Sequence, residues 1–449
     1  FSYFVLSDTD RSEVAAAEEA GIETWRSELT PQDAGRLVYR RRAVNTGYKA
    51  GNVRDFCERW GSDYEFMLPL DADSLMSGEA VVELMRMAEA HPRLGIVQSL
   101  VVGMPSSSAF ARIFQFGMRA GMRAYTMGQA WWTGDCGPFW GHNAVVRIKP
   151  FVEACELPQL PGGPPLGGQV LSHDQVEATL MRKAGYEVRV LPFEHGSWEE
   201  NPPTILDFLA RDTRWCQGNM QYIKLLDLPG LYPMSRFQLV WAILMFIGIP
   251  AWTLMIALLP VATWQAAEIQ AFPAGLAIVL YVAFFVMYLM PKIAGLIDVV
   301  LTTGGVARYG GAFKFAASAA IELLFSFLQG AVSTIRTSIF MTGLLFGVTV
   351  KWSGQSRDAY GISLGAAIRA LWPQTAFGIV VCGALAIINP AVFWWSLPLT
   401  AGYVLAVPFA MITASPAVGR WFRRHGLCAI PEDLAPPNEI TRVQGAANA

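Results

Sequence analysis

Four long apolar runs crowd the second half of this chain, and they limit what it can fold into. They are FQLVWAILMFIGIPAWTLMIALLPVATW (237–264), FPAGLAIVLYVAFFVMYLMPKIAGLI (272–297), ALWPQTAFGIVVCGALAII (370–388) and AVFWWSLPLTAGYVLAVPFAMIT (391–413). Each is long enough to cross a bilayer as a helix, and Trp and Tyr cluster near several ends, where interface anchors sit. Only 16% of residues are charged, against about 25% in soluble domains. Mean hydropathy is +0.34. Part of the chain is therefore expected in lipid, at 236–415. Lys and Arg fall in the stretches 298–316 (Arg308, Lys314) and 351–369 (Lys351, Arg357, Arg369) and in the tail (Arg420, Arg423, Arg424), but not in loop 265–271. The positive-inside rule then places both inner loops and the tail on the cytoplasmic side. The segment 317–350 holds two shorter apolar runs around STIRTS; a hairpin, a re-entrant pair and surface-lying helices all fit it. The tail, 416–449, ends in the polar APPNEITRVQGAANA and is expected to be partly disordered.

Residues 1–235 have a different texture. FSYFVL, RLVYRR, YEFMLPL, LGIVQSL and YEVRVLP read as strands, with helical patterns at 11–29, 49–61, 78–92 and 173–185 between them. Such alternation predicts an α/β, Rossmann-like domain with a mostly parallel sheet, whose ligands sit beyond the C-terminal strand ends. A net charge of −2 gives no basic field for nucleic acid. The six cysteines form no C-x-x-C pair and read as reduced thiols. The opening FSYFVLSDTD, without Met or signal-peptide pattern, reads as a strand that starts at once, as in a chain cut inside a domain.

Polar residues stand where strands end. LSDTD (6–10) runs a strand into Asp8. NTGYKAGNVR (45–54) brackets Lys49 with Gly47 and Gly51 at a helix start, a setting that suits phosphate. MLPLDADS (67–74) ends an apolar run in Asp71 and Asp73; Asp suits a turn, and two carboxylates so spaced also suit a divalent cation. LSHDQVE (171–177) puts Asp174 at a helix start, where it is a cap or a base. RDTRW (211–215) sets Arg211 and Arg214 three apart beside Trp215, suited to a diphosphate and a sugar face or to a cationic membrane-facing surface.

In this order, strand–Asp, KAGN, DAD, SHD, RDTRW and then apolar spans, the chain resembles the processive membrane glycosyltransferases of family two, with a GT-A-like fold. FWGHNAVVRIKPF (139–151), SHD, SWEENPP (197–203) and RWCQGN (214–219) are similar to the glucans biosynthesis glucosyltransferase H branch. That resemblance implies UDP-glucose as donor, a growing β-1,2-linked glucan as acceptor, transfer with inversion, and a multi-pass place in the bacterial inner membrane. It implies Asp174 as base, Mg²⁺ or Mn²⁺ on Asp73 helped by Asp71, and Asp8 and Asp71 at the uridine. Lys49, Arg211 and Arg214 would surround the diphosphate, Trp215 would stack on the acceptor, and Trp140 and His142 would hold the acceptor terminus. It also implies acyl carrier protein as a partner, and an earlier strand and spans outside this sequence. His173, where many members have Glu, tunes Asp174 or only packs; Glu199 and Glu200 face the acceptor or lie in a solvated loop. Rival readings are a cellulose- or hyaluronan-like synthase and a membrane scaffold with a dead soluble domain.

Overall fold

The computed structural model describes residues 1–267, 274–350 and 359–448. Part of loop 265–271, and Lys351 and Arg357 used above for orientation, lie outside them.

Two sheets build the first half. β1 (Tyr3–Ser7) and β2 (Leu37–Arg41) pair in parallel through helix Ser12–Glu28. A five-stranded sheet has β3 (Phe66–Met67), β4 (Ser74–Met76), β5 (Leu94–Gly103), β6 (Ala144–Arg147) and β7 (Glu187–Glu199) in the order β3-β6-β5-β7-β4. β5 lies at its centre, buried at every position. The α/β architecture is as expected, but the sheet is mixed rather than mostly parallel. β5 and β7 run parallel, while β3–β6, β5–β6 and β4–β7 are antiparallel. The cause is residues 134–143. After helix Ala109–Thr133 this segment runs beside β7, with the Gly137 amide donating to the Val188 carbonyl at 2.7 Å. The chain has then already crossed the sheet, and β6 enters in the opposite sense. Helix Ala109–Thr133 itself was not among the expected elements.

Beyond it, among the described residues, four helices are long and apolar enough to cross a membrane, within Pro233–Ala267, Ala274–Leu301, Ala312–Leu345 and Leu364–Ile388. Pro390–Val404 and Ala406–Ala414 form a pair bent by 59° that makes a fifth if counted as one span. The segment 317–350 is neither a hairpin nor a re-entrant pair: residues 317–345 lie in one unbroken helix, Ala312–Leu345, and 346–350 follow it as a turn and coil. The helix runs through the polar STIRTS, where Thr334 donates to the Ala331 carbonyl at 2.8 Å, Ser338 to the Thr334 carbonyl at 2.7 Å and Thr337 to Asp212 at 3.2 Å. Both ends of this helix pack on the first domain. Phe315 and Phe325 join Phe110, Ile113 and Leu209 in one core, and Phe340 and Leu344 join Val176, Cys216 and Leu225 in another.

The tail is also more ordered than its composition suggests. Helices Pro416–His425, Pro431–Leu434 and Asn438–Asn448 follow one another. Ile440 is buried among Leu100, Val102, Met104 and Trp198. Arg112 donates to the Leu427 carbonyl at 2.9 Å and to Asp433 at 2.7 Å. A few buried contacts suffice to order a polar segment when the partner surface is preformed. All six cysteines are buried and unpaired.

Candidate active site

LSDTD follows a strand of the two-stranded sheet, KAGN and SHD open helices and DAD follows β3, while RDTRW lies inside helix Ile205–Gln221. The DAD stretch is a turn: the Ser74 amide donates to the Asp71 carbonyl at 2.9 Å. That turn leaves both side chains at its rim, so the turn and clamp readings do not compete. Lys49 forms an ion pair with Asp71. Lys49 is aimed by the glycines around it. Gly47 has φ +72°, and a Cβ on Gly51 would collide with the Thr46 carbonyl. Only glycine at 51 lets the loop fold back onto the helix Tyr48–Trp60.

Asp8 is held by Arg42, which donates from Nε to Oδ1 at 2.7 Å and from Nη2 to Oδ2 at 2.6 Å. Arg42 also donates to the carbonyls of Thr46 and Tyr48 at 2.9 and 3.1 Å. Asp8 thus acts in this structure through Arg42 on the shape of the Lys49 loop.

Gly141 is where the elements meet. Its φ is +81°, and a Cβ built there would stand 3.3 Å from Lys49 Nζ, 3.4 Å from Asp174 Cβ and 3.7 Å from His173 Cε1. Three segments distant in sequence, 45–54, 139–143 and 171–177, therefore close on one point. Gly141→Ala is expected to cost about 1–2 kcal/mol from the left-handed backbone alone and to push Lys49 and Asp174 apart. Thermal unfolding and turnover measured together check it, and a fully active variant would show that this convergence is not needed.

Buried Gln98, in β5, holds the loop that presents Gly141. Its Nε2 donates to the carbonyls of His142 and Asn143 at 3.1 and 3.2 Å, and its Oε1 accepts from the Trp140 amide at 2.8 Å. Trp140 and His142 are half-buried beside it. His142 bridges to the DAD turn: its Nδ1 lies 3.0 Å from Ser74 Oγ, and its Nε2 lies 3.5 Å from Glu199. Burial pushes the Glu199 carboxyl above its ordinary range; His142 and Arg211 pull it down, while Asp73 and Asp71 push it up. The Glu200 amide donates to the Asp73 carbonyl at 3.0 Å, tying β7 to the turn.

Arg211 and Trp215 stack on helix Ile205–Gln221, guanidinium over indole at 4.7 Å. Burial holds the Arg211 guanidinium below its ordinary range against the pull of Glu199, Asp73 and Asp212, and Arg214, close by, adds to the lowering. Trp215 remains 48% exposed, so one indole face is engaged and much of the ring stays open. Of the expected residues, Lys49, Asp71, Asp174 and the loop of Trp140 and His142 form one group. Asp73 and Arg211 are its neighbours across Glu199, and Asp8 stands behind Lys49.

With this geometry, comparison with known proteins is decisive. Residues 66–290 match the family described as Glycosyl transferase family group 2. The whole chain is 38% identical to "Glucans biosynthesis glucosyltransferase H" of Caulobacter vibrioides over 470 aligned positions. The chain belongs to the glucans biosynthesis glucosyltransferase H family. A relative of the same name from Xanthomonas oryzae is 37% identical over 98% of this chain, and one from Pseudomonas putida 36% over 98%. The chain spans 69% of the Caulobacter relative, 70% of the Xanthomonas one and 53% of the Pseudomonas one.

For a glucans biosynthesis glucosyltransferase H family member, sequence reasoning passed over Arg42, Gln98 and Glu177. Gln98 had a signal, a lone amide inside the apolar LGIVQSL, because a polar group buried in a strand must find partners. Glu177 sits in the quoted LSHDQVE, and Arg42 ends RLVYRRR, but neither stands out from an ordinary charged position by spacing.

Proposed function

We propose that this chain transfers glucose from UDP-glucose to a growing β-1,2-linked glucan, with inversion, at the cytoplasmic face of a bacterial inner membrane. The observation that carries the reading is the convergence on Gly141 of a carboxylate, Asp174, and an ammonium, Lys49. A glycosyl transfer needs a base for the attacking hydroxyl and positive charge for the departing diphosphate. Asp174 takes the proton from the acceptor hydroxyl as that oxygen attacks C1 of glucose, and UDP departs from the opposite face. Lys49, Arg211 and Arg214 supply fixed positive charge around the diphosphate. Trp215 offers its open face to the acceptor sugar, and Trp140 and His142 line the acceptor terminus. Asp71 is shared between Lys49 and the uridine, with Asp8 behind it.

The residues fit a divalent cation. Asp71 and Asp73, on one turn, are the two carboxylates the chain would offer; among the described residues no three metal-binding side chains close on one point. That suits Mg²⁺ or Mn²⁺, since Mg²⁺ commonly completes its shell with water and substrate phosphate oxygens. Burial is the main cause of the rise in the Glu199 carboxyl, and the charges of Asp73 and Asp71 add to it. A bound cation would offset the charge that builds on the leaving diphosphate.

The tail docks on the same domain that carries these residues, so an even number of crossings must separate them. Helix Ala312–Leu345 lies against that domain at both ends. Counting the other three long helices and the bent pair gives four crossings, and the glucan would leave through them. The acyl carrier protein partner rests on the family resemblance alone.

The test uses full-length protein in membranes: UDP release from UDP-glucose, with and without chelator, and linkage analysis of the product. Divalent-dependent release and β-1,2 product are expected. A β-1,4 product would assign a cellulose-like synthase instead, and no release would favour a scaffold.

A further inference from the structure

Behind Asp174 lies a second carboxylate that the mechanism above leaves without work. Glu177 is one turn along helix Asp174–Lys183 and only 3% exposed. An acid in a first turn is favoured by the helix dipole, but an exposed one achieves that with no desolvation cost. A buried carboxylate needs a charged partner. The partner is His173, whose Nδ1 lies 2.9 Å from Glu177 Oε2. The Glu177 amide also donates to the His173 carbonyl at 2.8 Å, so backbone and side chain fix the same residue. The imidazole is half-buried, with 13% of its side chain exposed, and its Cε1 edge faces Gly141. His173 is therefore clamped from behind while its far edge meets the point where Lys49 and Asp174 converge.

We propose that Glu177 is a positioning residue for the transfer: it holds His173 as an imidazolium beside Asp174, so that the base keeps its negative charge in a fixed setting. This rests on the glucosyltransferase reading. The groups facing the ring are few. Glu177 and Asp174 come from its own helix, and Lys49 comes from helix Tyr48–Trp60. Tyr222, whose hydroxyl donates to the Ser172 carbonyl at 3.0 Å, stands beyond Asp174. Cys155 packs behind Glu177, its Sγ 3.5 Å from the Glu177 carbonyl, with Cys57 and Arg54 further out. Burial alone would lower the His173 titration; Glu177 and Asp174 outweigh burial and Lys49 and hold it above the ordinary histidine value.

The sign of the test follows. In Glu177→Gln the carboxylate is gone and burial is no longer offset by it, so the ring loses its proton at a lower pH than in wild type. One pH unit above its titration leaves a group about one-tenth protonated. The ratio of variant to wild-type kcat is expected to be lowest at the alkaline end of the pH profile, about a tenth or less, and to rise as pH falls, with KM for UDP-glucose nearly unchanged. A merely structural role would give a ratio constant in pH, and that result would overturn the proposal. A second readout needs no turnover. In protein with labelled histidine, one ring signal, identified by its loss in His173→Gln, should titrate above the ordinary histidine value in wild type and distinctly lower in Glu177→Gln. Identical titration in both refutes the clamp. A shifted titration in protein without glucosyl transfer would refute the reading of the reaction and leave the clamp standing.

Discussion

Asp174→Asn is expected to lower UDP release by at least about a hundredfold, the smaller end of what a positioned general base contributes. Asn keeps the size and one oxygen of the carboxylate, so the packing around Gly141 is preserved. What it loses is the ability to take a proton. The fold should survive. Asp174 is the first residue of its helix, and the His173 N-cap and the buried Val176, Ala178, Leu180 and Met181 hold that helix in place. Donor binding should survive as well, because Lys49, Asp71, Asp73 and Arg211 lie on other elements. The diagnostic pattern is a collapse of kcat with KM for UDP-glucose within about twofold, the mark of a group used mainly in the transition state. Release equal to wild type would remove Asp174 as the base, and a large rise in KM with intact kcat would move it to substrate binding.

Much of this site could be read from the chain, for a physical reason. Lys49, Asp71, Asp73 and Asp174 stand at the ends of elements, and Arg211 lies within a helix, in an otherwise apolar chain, where charge is costly unless it has work to do. That contrast is local and visible in one sequence. Partners were not visible. Asp71 meets Lys49 across 22 residues, Asp8 meets Arg42 across 34, and His142 meets Glu199 across 57; nothing in spacing selects one such pair among many. The fold divided in the same way. Strand and helix patterns set the α/β class, but the antiparallel entry of β6 depends on the path of residues 134–143, which carry no period. The unbroken helix Ala312–Leu345 was hidden by STIRTS, because the partners of its hydroxyls, the Ala331 and Thr334 carbonyls and Asp212, are not visible in a polar run. The tail was misread for a related reason: composition reports whether a segment can fold alone, and 416–448 folds on a surface that other residues build.

That surface leads to the second large effect. Arg119→Leu is expected to destabilise the protein by about 3–5 kcal/mol, the range for removing one partner of a buried ion cluster. Arg119 is 3% exposed and pairs with Glu194 of β7 and with Glu432 of the tail. Arg308 reaches the same Glu194 at 2.8 Å. Leucine would fill the volume but leave two carboxylates largely buried. Unfolding in detergent should shift to lower temperature, and brief proteolysis should cut the tail between helices Pro416–His425 and Asn438–Asn448 much faster than in wild type. The triple variant Arg119→Leu, Glu194→Gln, Glu432→Gln should recover much of the loss, since it removes the stranded charges as well. Wild-type unfolding and cleavage in the single variant would show that this cluster does not hold the tail. The pH dependence has a definite sign. Burial raises the Glu194 carboxyl, but hydrogen bonds and charge from Arg119 and Arg308 overcome it and bring it to about 2, below the unfolded value of 4.5. Its stabilisation is present above pH 4.5 and is lost as pH falls from there toward 2. The advantage of wild type over Glu194→Gln should shrink across that window and nowhere above it. Glu194 lies five residues before Glu199 on the same strand. Loosening the tail should therefore also lower turnover in Arg119→Leu, while Asp174→Asn, which breaks no such tie, should leave the tail as resistant to protease as in wild type.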